Sequence, residues 1–305
     1  MPQVTSSTRP FGSLLTAMVT PLTVDGAVDL DSTVRLAKHL VDQGHDGLVL
    51  NGTTGEAPTT HAPEKAEIVA AVVEAVGERA YVVAGAGSND TAHAVRMGEQ
   101  AVQAGAHGLL VVSPYYSRPS QEGIVRHTFA VADATDLPVM LYDIPGRAGV
   151  RLAPSTIDRL AEHDRVVAMK DATGDVFAAS TAIPRTGLAW YTGDDGLLLP
   201  FLSVGAVGAV SVVGHVAGAR LAEILEAWHA HDPGRALAVF RTIVPAIDAL
   251  NAAGFQACAA KAALEVLGIL PGRTTRLPLV PSSDDEVDAI RDGLRAAGLL
   301  DVVAF

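Results

Sequence analysis

The chain has 305 residues, 49% of them hydrophobic and only 18% charged, with a formal net charge of -12. That acidic balance excludes the basic footprint expected of a nucleic-acid binder, and the apolar content is ample for a large core. A single cysteine, Cys258, excludes an internal disulfide framework and points to a reducing compartment.

The first ten residues are polar and lack the basic region and apolar run of a signal peptide. No stretch offers the roughly 18 uninterrupted apolar residues of a membrane helix. The expected compartment is the cytoplasm, with no membrane and no nucleic-acid partner.

Short apolar runs then alternate with amphipathic stretches. Residues 13–20 are the first strand candidate, and residues 29–43 form a helix with Val34, Leu36, Ala37, Leu40 and Val41 on one face. The run 47–50 (GLVL) leads into Asn51-Gly52-Thr53-Thr54-Gly55-Glu56. The next helix starts near His61, with Pro63 in its first turn and Glu64 and Glu67 at its positive end. A third strand over 81–84 is followed by a helix over 90–104. The fourth unit is 108–113, a loop at 114–119 and a helix through Ala132. The fifth is 138–142, a loop at 143–149 and a helix opened by Pro154. The sixth strand is Val166-Val167-Ala168-Met169-Lys170, with a return helix from Asp175. The seventh, 188–191, ends in Gly193-Asp194-Asp195, and the eighth, 208–213, precedes a long helix to about His229.

Eight successive strand-helix units with short connections predict an α/β fold, a closed (β/α)8 TIM barrel over residues 11–230. An open doubly wound sheet fits less well. No G-x-G-x-x-G follows the first strand, and the polar motifs follow many strands rather than one switch point. After Pro233 the strand patterns stop. Helices over 231–251, 256–267 and 285–297 predict a C-terminal helical extension, residues 231–305, packed on the barrel.

Lys170 is the informative residue. A lysine closing a strand buried on both faces costs desolvation energy unless its amine is used or paired. Either the ammonium escapes over the strand end, or the amine sits in an apolar pocket with a lowered pKa, ready to attack a carbonyl. The active site of a barrel lies at the C-terminal ends of its strands. Thr53 and Thr54 follow the second strand, Tyr115 and Tyr116 the fourth, Tyr142 closes the fifth and Lys170 the sixth. That convergence favours the amine.

A neutral amine adds to a ketone, loses water and becomes a protonated Schiff base. This electron sink releases a proton from the neighbouring carbon and forms an enamine. Tyr142 is placed to pass protons if its hydroxyl is bonded to Thr53; the plainer alternative is a core tyrosine. Thr54 with Gly55 offers a hydroxyl beside backbone N–H groups as a carboxylate clamp, although such a run is often only a turn. Arg147, on a tight loop after Tyr142, suits a bidentate grip on a second carboxylate, against the alternative of a surface arginine. Asp194-Asp195 has no partners for a metal, and Asp195 is expected to cap the following helix. His39, His45, His93, His107 and His127 lack H-E-x-x-H spacing. No metal and no cofactor is expected.

Taken together, Gly52-Thr53-Thr54-Gly55-Glu56, Ser113-Pro114-Tyr115-Tyr116, the segment from Leu141 to Arg147, the segment from Met169 to Gly174 and Gly193-Asp194-Asp195 resemble the motif series of the dihydrodipicolinate synthase family. This family lies within the pyruvate-dependent Schiff-base class I aldolases that include N-acetylneuraminate lyase. The resemblance runs from about Phe11 to the last helices. It implies a barrel with C-terminal helices and a homotetramer built as a dimer of dimers. Lys170 would form the Schiff base with pyruvate. Tyr142, Thr53 and Tyr116 would relay protons, with Tyr116 crossing the tight dimer interface. Thr54 would hold pyruvate's carboxylate and Arg147 that of L-aspartate 4-semialdehyde, while Gly193 and the Val210 region would line the pocket with backbone. The implied reaction joins pyruvate and the semialdehyde into hydroxytetrahydrodipicolinate and water, at the entry to diaminopimelate and lysine synthesis.

The nearest rival keeps the same first half-reaction with a sugar acceptor, as in neuraminate lyase or a 2-keto-3-deoxy sugar-acid aldolase; Arg147 favours the small carboxylated aldehyde. Many family members have Asn at the place of Asp143 and Glu at that of Asp171. In lysine-inhibited members an acidic residue holds the effector's amine. Its register position here is His93, and Ala57-Pro58 follows Glu56. The resemblance therefore implies weak or absent lysine inhibition.

Overall fold

The computed structural model describes residues 9–300. The polar segment 1–8 and the last five residues of the 231–305 extension lie outside the described residues. The barrel half of the chain runs β1 (Leu14–Ala17), α1 (Leu30–Asp42), β2 (Gly47–Leu50), α2 (Ala62–Val76), β3 (Tyr81–Gly85), α3 (Thr91–Gln103), β4 (Gly108–Val112), α4 (Gln121–Asp133) and β5 (Val139–Asp143). It continues through α5 (Pro145–Ala148), α6 (Pro154–Ala161), β6 (Val166–Asp171), α7 (Val176–Thr186), β7 (Ala189–Thr192), α8 (Leu198–Ser203), β8 (Gly208–Ser211) and α9 (Gly214–His229). The helices α10 (Pro233–Ala252), α11 (Gln256–Val266) and α12 (Asp284–Ala296) follow as the C-terminal extension.

The eight strands pair in parallel, each with its sequence neighbour, and β8 closes on β1. Alternation along each strand sorts its side chains between two apolar regions. Leu15, Val49, Val83, Leu110, Met140, Ala168, Tyr191 and Val210 fill the barrel interior. Leu14, Leu48, Leu109, Leu141, Met169 and Trp190 face the helices outside. Burial of each large aliphatic side chain stabilises the fold by about 1.5–3 kcal/mol, which is why short strands of four to six residues suffice. Helix starts are fixed locally. Asp29 accepts from the Ser32 N–H at 2.9 Å, and Ser283 and Glu286 form a capping box on α12.

Three local readings differ from the sequence expectation. The first strand is shorter than residues 13–20: it runs from Leu14 to Ala17, and its pairing with β2 ends on the Met18 N–H bond to the Val49 carbonyl at 3.0 Å. The loop at 143–149 contains the short helix α5, opened by Pro145 and closed by Gly149 at φ 75°. The β7–β8 connection contains α8, Leu-Leu-Pro-Phe-Leu-Ser, whose nearly unbroken apolar composition gives no amphipathic period to read. Among the described residues, no helix is long and apolar enough to cross a membrane.

Candidate active site

The C-terminal rim of the barrel opens into a cavity of about 520 Å³ whose lining includes Thr53, Tyr115, Tyr142, Ile144, Arg147 and Phe255. Thr53 follows β2, Tyr115 follows β4, Tyr142, Ile144 and Arg147 come from the end of β5 and α5, and Phe255 precedes α11. Tyr142 and Lys170 pair in register on β5 and β6, so alternation sends both side chains inward at one level.

Lys170 is 5% exposed, and its Nζ lies 4.4 Å from the centroid of the Tyr142 ring. Burial pulls its pKa down from 10.5 to about 8; the buried Asp195 carboxyl opposes that shift and the Arg147 charge assists it. Tyr142 moves the other way. Burial holds its phenol above the usual range, while the hydrogen bond with Thr53 and the Arg147 charge draw it back. The Lys170 amine does not escape into solvent.

Arg147 lies on α5, and its guanidinium carbon sits 4.4 Å over the ring of Phe255, which begins α11. Thr54 and Gly55 are buried behind Thr53 and are not among the cavity's lining residues. The Gly55 carbonyl accepts from Thr20 at 2.8 Å. Gly193 packs directly on the lysine. A Cβ there would come within 3.1 Å of both Lys170 Cε and Ala172 Cβ, so a side chain would displace the amine. Val210 is fully buried in the barrel interior. Tyr116 does not line its own chain's cavity. It is 89% exposed at φ 72°, a left-handed conformation that is strained for a bulky residue.

Asp195 does not cap the following helix. Asp194 takes that position, accepting from the Gly196 N–H at 3.0 Å. The Asp195 carboxyl turns inward and accepts from Ser211 Oγ at 2.5 Å and from the Val212 and Val213 N–H groups at 3.0 and 2.8 Å. It satisfies the turn between β8 and α9, where backbone donors would otherwise be buried without partners. The only sequence signal for this residue was an acidic pair at a strand end, which reads equally as a cap.

Beneath the rim, Thr16 Oγ1 and His45 Nε2 lie 2.7 Å apart, and His215 Nε2 accepts from the Val19 N–H at 3.0 Å. Both rings are buried, which lowers each pKa to about 4 and keeps them neutral. Among the described residues, no three His, Cys, Asp or Glu side chains converge as a metal ion would require.

Residues 10–297 match the Dihydrodipicolinate synthetase family. The chain belongs to that family. It is 54% identical over 291 residues to the 4-hydroxy-tetrahydrodipicolinate synthase of Bifidobacterium animalis subsp. lactis, covering 95% of each chain. Its fold is similar to that of dihydrodipicolinate synthase DapA-2 from Bacillus anthracis, with a TM-score of 0.90, 39% identity and coverage of 93% of this chain and 98% of the other. It is also similar to the lysine-bound enzyme of Cyanidioschyzon merolae, with a TM-score of 0.91, 38% identity and coverage of 95% and 99%. The family's motif series lies at the strand ends of this barrel; Thr53, Tyr115, Tyr142 and Arg147 line the cavity, and Lys170 packs behind the Tyr142 ring rather than on the cavity wall.

Proposed function

We propose that the chain joins pyruvate to L-aspartate 4-semialdehyde, giving 4-hydroxy-tetrahydrodipicolinate and water in lysine and diaminopimelate synthesis. The observation that carries this reading is the buried Lys170 amine, with a pKa near 8, held against the ring of Tyr142. An ordinary lysine is almost wholly protonated at neutral pH, whereas this one supplies an appreciable neutral fraction.

The amine adds to the ketone carbon of pyruvate and forms a carbinolamine. Loss of that oxygen as water, with a proton delivered by the Tyr142–Thr53 pair, gives the protonated Schiff base. Removal of a methyl proton by the same Tyr142–Thr53 pair gives the enamine, whose carbon attacks the aldehyde carbon of the semialdehyde. The acceptor's own amine then takes the place of Lys170 on the former ketone carbon, closing the ring and freeing the enzyme.

In this account Thr54 and Gly55 hold pyruvate's carboxylate, and the Gly193 and Val210 backbone shapes the space beside it. Arg147 holds the carboxylate of the semialdehyde, supported by its place on the cavity wall and its stacking on Phe255. Tyr116 completes the relay in the neighbouring protomer of a dimer of dimers. Its exposure and strained backbone support that role, because such a conformation persists where further contacts hold it.

The test is pyruvate consumption with L-aspartate 4-semialdehyde, run beside cleavage of N-acetylneuraminate and of 2-keto-3-deoxygluconate. Semialdehyde-dependent turnover is expected. Cleavage of either sugar acid in its place would reassign the acceptor half of the site.

A further inference from the structure

The segment carrying Thr53 has an anchor that none of the chemistry above uses. Glu56 is 2% exposed and adopts φ 57°, a left-handed conformation rare for a long side chain. Its N–H bonds back to the Thr53 carbonyl at 3.1 Å, so the Glu56 backbone directly fixes Thr53. One carboxylate oxygen takes a hydrogen bond from the Lys261 amine, and the other accepts from the Arg276 N–H at 3.0 Å.

Lys261 lies in the middle of α11 and is 1% exposed; its amine also donates to the Thr274 carbonyl at 2.7 Å. Arg276 extends the same clamp along the β2–α2 connection. Its guanidinium donates to the Thr59 carbonyl at 2.8 Å and to both Glu64 oxygens, at 2.8 and 2.5 Å. A buried ion pair contributes little net stability, because desolvating two charges offsets their attraction. A polar contact of this kind, enclosed in an otherwise Ala-rich helix, is better accounted for by what it positions.

We propose that Lys261 is a positioning residue for the proton relay: through Glu56 it fixes the Thr53 hydroxyl against Tyr142, so the C-terminal extension sets the relay's geometry from outside the barrel. The inference rests on the Schiff-base reading of Lys170 and extends it to a residue that touches no substrate. Loss of the anchor leaves Lys170 and Tyr142 in place and loosens Thr53. The extent of Schiff-base formation at equilibrium then survives, while its rate and proton removal from the pyruvate methyl group both slow.

The experiment reads those two steps apart and needs no acceptor. Schiff-base formation is measured by borohydride trapping with pyruvate, and proton removal by proton–deuterium exchange at the pyruvate methyl group in D2O, followed by NMR. Exchange rates are divided by the fraction of chains that trap. The double variant Glu56→Gln/Lys261→Met removes both charges together, so neither is left buried alone. It is expected to trap pyruvate as the wild type does and to exchange about 100-fold more slowly, the cost of a misplacement near 1 Å. Glu56→Gln alone, in which the Lys261 amine keeps the Thr274 carbonyl and an amide oxygen, is the milder companion, with about a 10-fold loss. Exchange within twofold of wild type in either folded variant overturns the proposal. Wild-type protein that neither traps nor exchanges contradicts the Lys170 reading itself, and wild-type protein that exchanges without consuming semialdehyde contradicts only the acceptor.

Discussion

Lys170 Nζ stands 4.4 Å from the centroid of the Tyr142 ring, one strand away in direct register. A cation over an aromatic face is held by electrostatics, and a neutral amine there is flanked by a phenol that exchanges protons. One contact therefore serves both protonation states of the lysine.

Tyr142→Phe separates binding from turnover. The ring that packs on the lysine remains and the hydroxyl bonded to Thr53 is lost. Pyruvate trapping at equilibrium is expected to persist while kcat falls by about 10²–10⁴-fold, the range for loss of a positioned general acid–base. Wild-type kcat in this variant would remove Tyr142 from the relay.

The pH dependence of kcat/KM for pyruvate reports the free enzyme. Only the neutral amine attacks, and burial places its pKa near 8. The rate is expected to rise with pH and level off above about 8. A profile still climbing toward 10.5, the value of an unperturbed lysine, would contradict the buried-amine account.

Acid stability tests the rim's support. His45 and His215 have folded pKa values near 4, lowered from 6.5 by burial. Between those values the unfolded chain binds protons that the folded chain does not, so stability is full above pH 6.5 and falls as pH drops toward 4. The cost is about 3 kcal/mol per histidine. Asp143 acts in the opposite sense, since burial, with the Asp171 charge as a lesser cause, pushes its carboxyl up to about 7. Its contribution to stability is lost as pH rises through that value. Thermal unfolding of Asp143→Asn is therefore expected to show a steeper acid decline than wild type, and a higher midpoint at pH 8. A midpoint in this variant that does not change with pH would contradict the histidine assignment.

Lysine feedback is predicted to be weak or absent. His93 lines the same cavity, at the register where the resemblance implies a fixed negative charge for an effector's ammonium. A histidine supplies no such charge. Titration calorimetry should show no micromolar binding of L-lysine, and a micromolar dissociation constant would overturn the prediction.

The barrel was legible because each strand-helix unit carries its own periodicity, and the rim motifs followed once strand ends were placed. Lys170, Tyr142, Thr53 and Arg147 were found as isolated polar residues in apolar or glycine-rich surroundings. The contacts that support them were not legible in this way. Glu56 and Lys261 are 205 positions apart, and Lys261 in an Ala-rich helix reads as an ordinary surface lysine. The stacking of Arg147 on Phe255 depends on how α11 lies against the barrel, and no local pattern encodes that. Asp195 was read as a cap because its true acceptor role faces residues 16 to 18 positions ahead.

The most direct test of the account is borohydride reduction in the presence of pyruvate, followed by peptide mass mapping. One N-linked carboxyethyl group per chain, located on Lys170 and absent from Lys170→Ala, is the predicted result. An unmodified Lys170 in protein that still consumes pyruvate with the semialdehyde would contradict the Schiff-base mechanism at its first step.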